Sequence, residues 1–335
     1  MDFANKTVLV TGATGLIGSN IVYDLIQRQN VKVIASVRNR SKLEKLFSEY
    51  FGKENFSYIV HDISTTPIDI QEPVDYIFHA AGPISGNIIQ NNPVDVISPN
   101  LDGLKNCLEF LRRQQKGRLI LFSSATIYAR ALESDLRVTE DDTTETIPLS
   151  SSQAMYSETK RMCELIGRAY LKQYNVDVVI ARIGYVYGYT KLIPDTAFYQ
   201  FIRSAIQGED IVLKAANFTN RDNIYVKDAV SGLLHIGLHG QSGEAYNVSS
   251  NAECGNYTSV DFIAQEIVKS VNQQTSSSVS VEYLHPHVGN PLPGVILDNT
   301  KLKNLGWNIA TGLSEGVHEV VKLFLETERR DSHVS

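Results

Sequence analysis

Met155-Tyr156-Ser157-Glu158-Thr159-Lys160 sets a phenol and an ammonium four residues apart, inside a stretch of helical periodicity that runs to about Tyr174. At that spacing the two side chains share one helix face. A phenol is a poor base at neutral pH, but a neighbouring ammonium favours its ionised form, so Tyr156 beside Lys160 can exchange a proton with a substrate hydroxyl. Ser123 and Ser124 end the apolar run Leu119–Phe122, which reads as a strand. Ligands of open α/β sheets bind at the carboxyl ends of the strands, and a serine there can orient a reacting oxygen. Alone, a Tyr–Lys pair at this spacing is more often helix surface than catalyst; the combination is the specific signal.

A second constellation opens the chain. The run Thr7–Val10 leads into Thr11-Gly12-Ala13-Thr14-Gly15-Leu16-Ile17-Gly18, after which Ile21, Val22, Leu25 and Ile26 continue with helical spacing. In such a strand–loop–helix, Gly12 permits the tight turn, Gly15 lets backbone approach a pyrophosphate, and Gly18 lets the helix pack on the strand. The first-turn N–H groups around Thr14, Leu16 and Ile17 attract the phosphate charge. A dinucleotide site is the expectation. An acidic residue at the end of the second strand would bind the ribose 2′-hydroxyl of NAD, whereas this chain has Ser36-Val37-Arg38-Asn39-Arg40. Arg38, with Arg40 or Lys42, suits a 2′-phosphate, which favours NADP(H). If Arg38 stacks on adenine or lies in solvent, NAD(H) remains acceptable. Asp62 and Ile63 are placed to cap the adenine, and Ala80-Ala81-Gly82 offers small residues where a cofactor must pass.

These side chains need a scaffold. Apolar β-rich runs at Thr7–Val10, Val31–Val37, Phe56–Val60, Tyr76–Phe78, Leu119–Phe122 and Val176–Ala181 alternate with helical segments, which predicts a doubly wound parallel sheet of Rossmann type. Alternation by itself also allows a closed α/β barrel. From about Ile183 the rhythm breaks, with scattered helices such as Asp195–Gln207 and Ser259–Val271, a Ser-rich loop at Thr275–Ser280 and a frayed polar tail after Glu326. The expected division is a dinucleotide domain over 1–182 plus about 222–250, and a smaller α/β substrate lobe over 183–221 and 251–330. With 31 basic against 37 acidic residues and no block of either sign, neither nucleic acid nor an anionic membrane is an expected partner. The first residues lack an apolar signal core, and no run reaches the roughly 18 apolar residues of a membrane span. Three scattered cysteines suggest a reducing cytoplasm rather than a disulfide framework. No metal site is expected: His285-Pro286-His287 has no acidic partner beside it. Cys163 reads as packed core, and Lys301 and Lys303 as a solvated face.

TGATGLIG at 11–18, HAAG at 79–82, FSSATIY at 122–128, YSETK at 156–160, ARIGYVYG at 181–188, RDNIYVKD at 221–228, YNVSS at 246–250 and LGW at 305–307 occur in one order over nearly the whole chain. In these segments the chain resembles the extended short-chain dehydrogenase/reductases of the NAD-dependent epimerase/dehydratase family. The resemblance implies that Ser124, Tyr156 and Lys160 are catalytic, that Asn100 supports them, and that Ser123 and Ile183 lie beside the cofactor. It further implies that Arg221 holds a sugar-nucleotide phosphate, the alternative being a surface ion pair with Asp222 or Asp228. It implies a homodimer formed through Asn92–Gln114 and Gln153–Tyr174.

Family members that eliminate water carry an Asp-Glu pair after the serine, sugar 3,5-epimerase/reductases a cysteine, and decarboxylating relatives usually a glutamate; here stand Ala125 and Thr126. The segment Ser-Ala-Thr-Ile-Tyr is similar to that of sugar 4-epimerases. The expected reaction is epimerisation of a nucleotide-diphosphate sugar at C4 through a transient ketosugar, with Thr126 against the substrate. An NADPH-dependent ketosugar reductase is the alternative that Arg38 favours. Tyr185 stands where relatives commonly present an asparagine, so Tyr185, Tyr187 and Tyr189 either stack on the substrate or fill the junction between lobes. A non-catalytic dinucleotide sensor on the same fold is disfavoured by the joint presence of Ser124, Tyr156 and Lys160.

Overall fold

The computed structural model describes residues 2–82, 86–128, 136–142, 147–151, 154–214, 220–285 and 294–334. The order is β1 (Lys6–Thr11), α1 (Leu16–Ile26), β2 (Val31–Val37), α2 (Arg40–Phe47), β3 (Phe56–Val60), β4 (Tyr76–His79), α3 (Gly86–Asn91), α4 (Val94–Gln114) and β5 (Arg118–Ser124). There follow β6 (Leu136–Val138), α5 (Ala154–Tyr174), β7 (Asp177–Ile183), β8 (Tyr185–Tyr187), α6 (Ala197–Ile206), β9 (Ile211–Leu213), β10 (Asn220–Tyr225), α7 (Val226–His239) and β11 (Ala245–Val248). The last elements are β12 (Tyr257–Ser259), α8 (Val260–Gln274), β13 (Val281–Tyr283), β14 (Val295–Leu297), α9 (Thr300–Lys303) and α10 (Leu313–Val334).

Seven strands form one parallel sheet in the order β11-β7-β5-β4-β1-β2-β3. Side-chain alternation divides its core in two. Val8 and Val10 point into a cluster with Ile21 and Val22 of α1 and Leu233 of α7, whereas Leu9 between them joins Leu104, Leu108 and Leu111 of α4. Burial on both faces explains why these strands are continuously apolar in sequence. Helix α1 buries Gly18, Ile21, Val22, Leu25 and Ile26, the spacing of a single helical stripe.

The strand order reverses between β1 and β4, where chains leave in opposite directions and a crevice must open at the carboxyl edge. Gly12 turns there at a φ of +63°, and a Cβ at this position would lie 2.7 Å from the backbone of Ala80 and Ala81. Glycine therefore lets the first loop touch the turn after β4.

Outside the large sheet, β8, β10 and β12 make a three-stranded sheet, and β9–β13 and β6–β14 are two-stranded pairs. The tail after Glu326 is helical rather than frayed as far as Val334, as part of α10. Leu313, Val317, Val320, Val321 and Phe324 are buried at helical spacing and anchor that helix. Lys301 and Lys303 form no free solvated face either; they pair with Glu244 and Glu253. No described helix is long and apolar enough to cross a membrane.

Candidate functional site

The crevice at the switch point has a volume of about 280 Å³. Gly12, Thr14 and Gly15 form one wall, Arg38, Asp62 and Ile63 another, and Ala80, Ala81 and Gly82 a third. Gly15 is the N-cap of α1 and supplies no side-chain cap, so the N–H groups of the first turn, Leu16 and Ile17 among them, are left for an anion. Gly18 packs against the Gly12 carbonyl so closely that a Cβ would collide with it. Asn100 is buried with its Nδ2 donating to the Val96 carbonyl at 2.7 Å, and a Cβ on Gly82 would lie 2.6 Å from its Oδ1. A larger groove of about 690 Å³ lies at the opposite, amino edge of the sheet, among Lys6, Asp75 and Arg118. It contains none of the residues expected to act.

Arg38 and Asp62, expected to meet the cofactor separately, stand beside each other on one wall of the crevice at 3.7 Å. Hydrogen bonds from Ser64 are the first reason that the Asp62 carboxyl is held below its ordinary pKa; the Arg38 charge adds to them. Both side chains are well exposed, so the pair contributes little to stability.

Beneath the crevice lies His79, a residue without a role in the sequence reading beyond its place in HAAG. Thr11 Oγ1 is 2.8 Å from His79 Nδ1 and accepts from the Ala81 N–H at 3.3 Å. With the Thr11 hydroxyl donating to Nδ1, β1 is tied through β4 to the turn that lines the crevice. Burial, reinforced by the charge of Lys160, pushes the His79 pKa down to about 3, so the ring stays neutral.

The second constellation gathers at the carboxyl end of β5. Lys160 is buried, donates from Nζ to the Phe122 carbonyl at 3.0 Å, and lies 5.7 Å from the centroid of the Tyr156 ring. Ser124 Oγ accepts from the backbone N–H of Thr126 at 3.2 Å and stands 3.1 Å from its hydroxyl. Ser124, Thr126, Tyr156 and Lys160 are thus brought to one strand end. The buried Ser123 hydroxyl donates to Glu164 Oε1 at 2.6 Å, on the same helix that carries Tyr156 and Lys160. Glu164 in turn is held by Arg182, at 3.0 Å from Nε and 2.9 Å from Nη2. Neither residue was singled out from sequence; the signal was present in Glu164 standing four residues beyond Lys160. Ile183 ends β7 beside Ser124, with which it is in register.

In the second group of strands, the Arg221 guanidinium lies 5.0 Å from the centroid of the Tyr185 ring, which is half exposed. Arg221 pairs with neither nearby acid. Asp222 accepts from the N–H groups of Leu297 and Ala252 and from Ser250, and Asp228 from those of Ala310 and Thr311. Tyr187 packs against Tyr225 and Phe198 and Tyr189 against Phe324, whereas Tyr185 is the exposed one of the three. Cys163 is packed core. Of His285-Pro286-His287, the last two lie outside the described residues.

Fold and crevice together are those of a dinucleotide-binding α/β protein. Residues 8–249 match the NAD dependent epimerase/dehydratase family, and the chain belongs to that family. UDP-glucuronic acid decarboxylase 6 of Arabidopsis thaliana is 28% identical over 316 residues, which cover 94% of this chain and 87% of the relative. Among solved structures, UDP-N-acetylglucosamine 4-epimerase of Methanobrevibacter ruminantium M1, in complex with UDP-N-acetylmuramic acid, superposes with a TM-score of 0.79 at 24% identity, covering 97% of this chain and 99% of that one. UDP-glucuronic acid 4-epimerase of Bacillus cereus, in complex with UDP-glucuronic acid and NAD, gives 0.76 at 22% identity, covering 95% and 99%. At those identities the structures establish the shared fold.

The state of His79 has a consequence for stability. Its folded pKa lies below the unfolded value, so between about pH 6.5 and pH 3 the unfolded chain binds a proton that the folded chain refuses, and stability falls as pH falls. Denaturant unfolding should show wild type losing roughly 2 kcal/mol from this group between pH 7 and pH 5, with His79→Gln losing correspondingly less. Equal losses in the two proteins would refute the assignment.

Proposed function

We propose that the chain is a nucleotide-sugar 4-epimerase that works with a nicotinamide dinucleotide in the β1/β4 crevice. The observation that carries this reading is the hydroxyl pair of Ser124 and Thr126 beside Lys160 and Tyr156, at a position where elimination or decarboxylation would call for a carboxylate.

The crevice fits the cofactor on its own geometry: an uncapped helix start, glycines whose Cβ atoms would collide, and a wall of small residues. Gly12, Thr14, Gly15, Leu16, Ile17 and Gly18 would hold the pyrophosphate, Asp62 and Ile63 the adenosine, and Ala80, Ala81, Gly82, Asn100 and Ile183 the remainder. When bound, the nicotinamide serves as hydride acceptor and then donor at the sugar carbon. Ser124, accepting from Thr126, keeps its own hydrogen to donate to the sugar O4. Tyr156 takes the O4 proton and returns it after the ketosugar has turned, and the Lys160 ammonium stabilises the phenolate between the two steps. Arg221, over the Tyr185 ring, would hold the diphosphate.

We assign 1–182 with about 222–250 to the cofactor domain and 183–221 with 251–330 to the substrate lobe; β11 joining the large sheet supports this. With all three cysteines free, we place the protein in a reducing cytoplasm. A ketosugar reductase using NADPH is the second reading, favoured by Arg38 and Lys42 at the crevice.

Incubation with NAD and UDP-glucose, UDP-N-acetylglucosamine or UDP-glucuronic acid, followed by NMR, should show the C4 epimer with no change in mass. Tyr156→Phe should lower kcat by about 10²–10⁴. Loss of CO2 from UDP-glucuronic acid would replace this reading with that of the Arabidopsis relative, and consumption of NADPH by a 4-ketosugar would establish the reductase.

We also propose a homodimer through α4 and α5, supported by the exposed Met162 and Leu165 on α5 and Val94 on α4. Light scattering should report about twice 37.2 kDa; a particle of 37.2 kDa would overturn it.

A further inference from the structure

Tyr156, Lys160 and Glu164 recur every fourth residue, so they lie on one face of α5. That face is applied to the end of β5 at two consecutive residues: Lys160 Nζ reaches the Phe122 carbonyl at 3.0 Å, and the Ser123 hydroxyl reaches Glu164 at 2.6 Å. Ser123 is in register with Arg182 of β7, whose guanidinium meets both Glu164 oxygens. Side-chain exposures of 4% for Arg182 and 8% for Glu164 place this pair in the interior. Nη1 donates to the Tyr128 hydroxyl at 3.0 Å and to the Glu140 carbonyl at 2.6 Å, so four of the five guanidinium donors are used. The Tyr128 hydroxyl continues to Asn247 Oδ1 at 2.6 Å, and the Asn247 N–H to Glu140 Oε1 at 2.7 Å. Burial works against the Arg182 charge, but Glu164 more than offsets it, and the guanidinium pKa stands above its ordinary value.

We propose that Glu164 and Arg182 are positioning residues whose mutual neutralisation leaves the Lys160 charge free to act on Tyr156, and so sets the pH at which Tyr156 gives up its proton. This rests on the reading of Tyr156 as proton carrier. A bare carboxylate at Glu164, one turn from Lys160, would draw on the ammonium and make the phenolate costlier. A bare guanidinium at Arg182 would make it cheaper. Eight residues of helix set Glu164 roughly 12 Å along the axis from Tyr156, and at an effective dielectric near 20 one unbalanced charge at that separation is worth roughly one pH unit. Among the described residues, the other titratable groups around Lys160 and the pair include His79 on β4, Cys107 on α4, Cys163 and the Glu158–Arg161 pair on α5, and Tyr128 and Glu140 beyond Arg182, with Lys301 acting on Glu140. All are retained in the variants below, so differences between variants report the pair.

The test is the titration of Tyr156 itself, by ¹³Cζ-tyrosine NMR on the full chain, with its resonance assigned by loss in Tyr156→Phe. Relative to wild type, Glu164→Gln should ionise about one pH unit lower and Arg182→Gln about one unit higher. The double variant should return near wild type despite a lower melting temperature, and Arg182→Lys should restore the wild-type titration. If Arg182→Gln does not fold, Glu164→Gln and Arg182→Lys carry the decision. A Tyr156 titration that is unmoved, or raised, in Glu164→Gln overturns the proposal. Turnover is read separately: a wild type inactive on every UDP-sugar sinks the epimerase reading and leaves the NMR titrations to decide the role of the pair, whereas flat titrations in an active enzyme sink the pair alone.

Discussion

A carboxylate taken out of water must be met by a countercharge or it costs several kcal/mol, and at the carboxyl edge of this sheet Glu164 is met by Arg182 on both oxygens. Much of the surrounding structure is arranged by that requirement. Helix α5 carries Glu164 and must sit where β7 can supply the guanidinium; the same seating brings Lys160 onto the Phe122 carbonyl and Tyr156 beside Lys160. The spare guanidinium donors reach Tyr128 and Glu140 and, through them, Asn247 on β11. An apolar pair of similar volume would be no less stable by the usual balance, whereas removing one partner alone costs roughly 3–5 kcal/mol. The ion pair therefore adds placement rather than net stability, by fixing one height of α5 along β5.

The two halves of the site obey different physics. The crevice is a consequence of strand order, and small residues keep it open: Gly12, Ala80 and Ala81 meet at distances that no side chain would tolerate. The cluster at β5 is polar and depends on hydrogen bonds, with hydroxyls at Ser124 and Thr126. Membership of one family leaves the reaction open, since a fold hosts many chemistries. A relative with 28% identity is a decarboxylase, and structures of the same fold are 4-epimerases. What the site offers chemically, a proton relay without an added carboxylate after Ser124, is why the epimerase reading is preferred here.

Much of the sheet was legible in the sequence because its information is local. β2 and β3 coincide with their apolar runs, and β1, β4, β5 and β7 differ by one or two residues at their ends. The glycine loop was equally legible, being contiguous. β8, β9 and β12 to β14 are three residues each, too short for any periodicity, and exist through pairing with distant partners. Two adjacent serines show no difference in sequence, and pleating alone sends Ser123 to Glu164 and Ser124 to the cluster. The meeting of Arg38 with Asp62 likewise needs two strands side by side before it can be seen. Arg182 was hidden for a related reason: its meaning comes from a residue on another element.

The central claim is that the sugar carbon is oxidised and reduced in place. The direct measurement is to supply a UDP-hexose carrying deuterium at C4, let the protein bring it to equilibrium in ordinary water, and locate the label by NMR. Oxidation and reduction in place predict that both C4 epimers form and that both keep deuterium on C4, because the hydrogen leaves that carbon and returns to it without meeting solvent. Label lost to water, or recovered in unchanged substrate with no epimer formed, would contradict the claim.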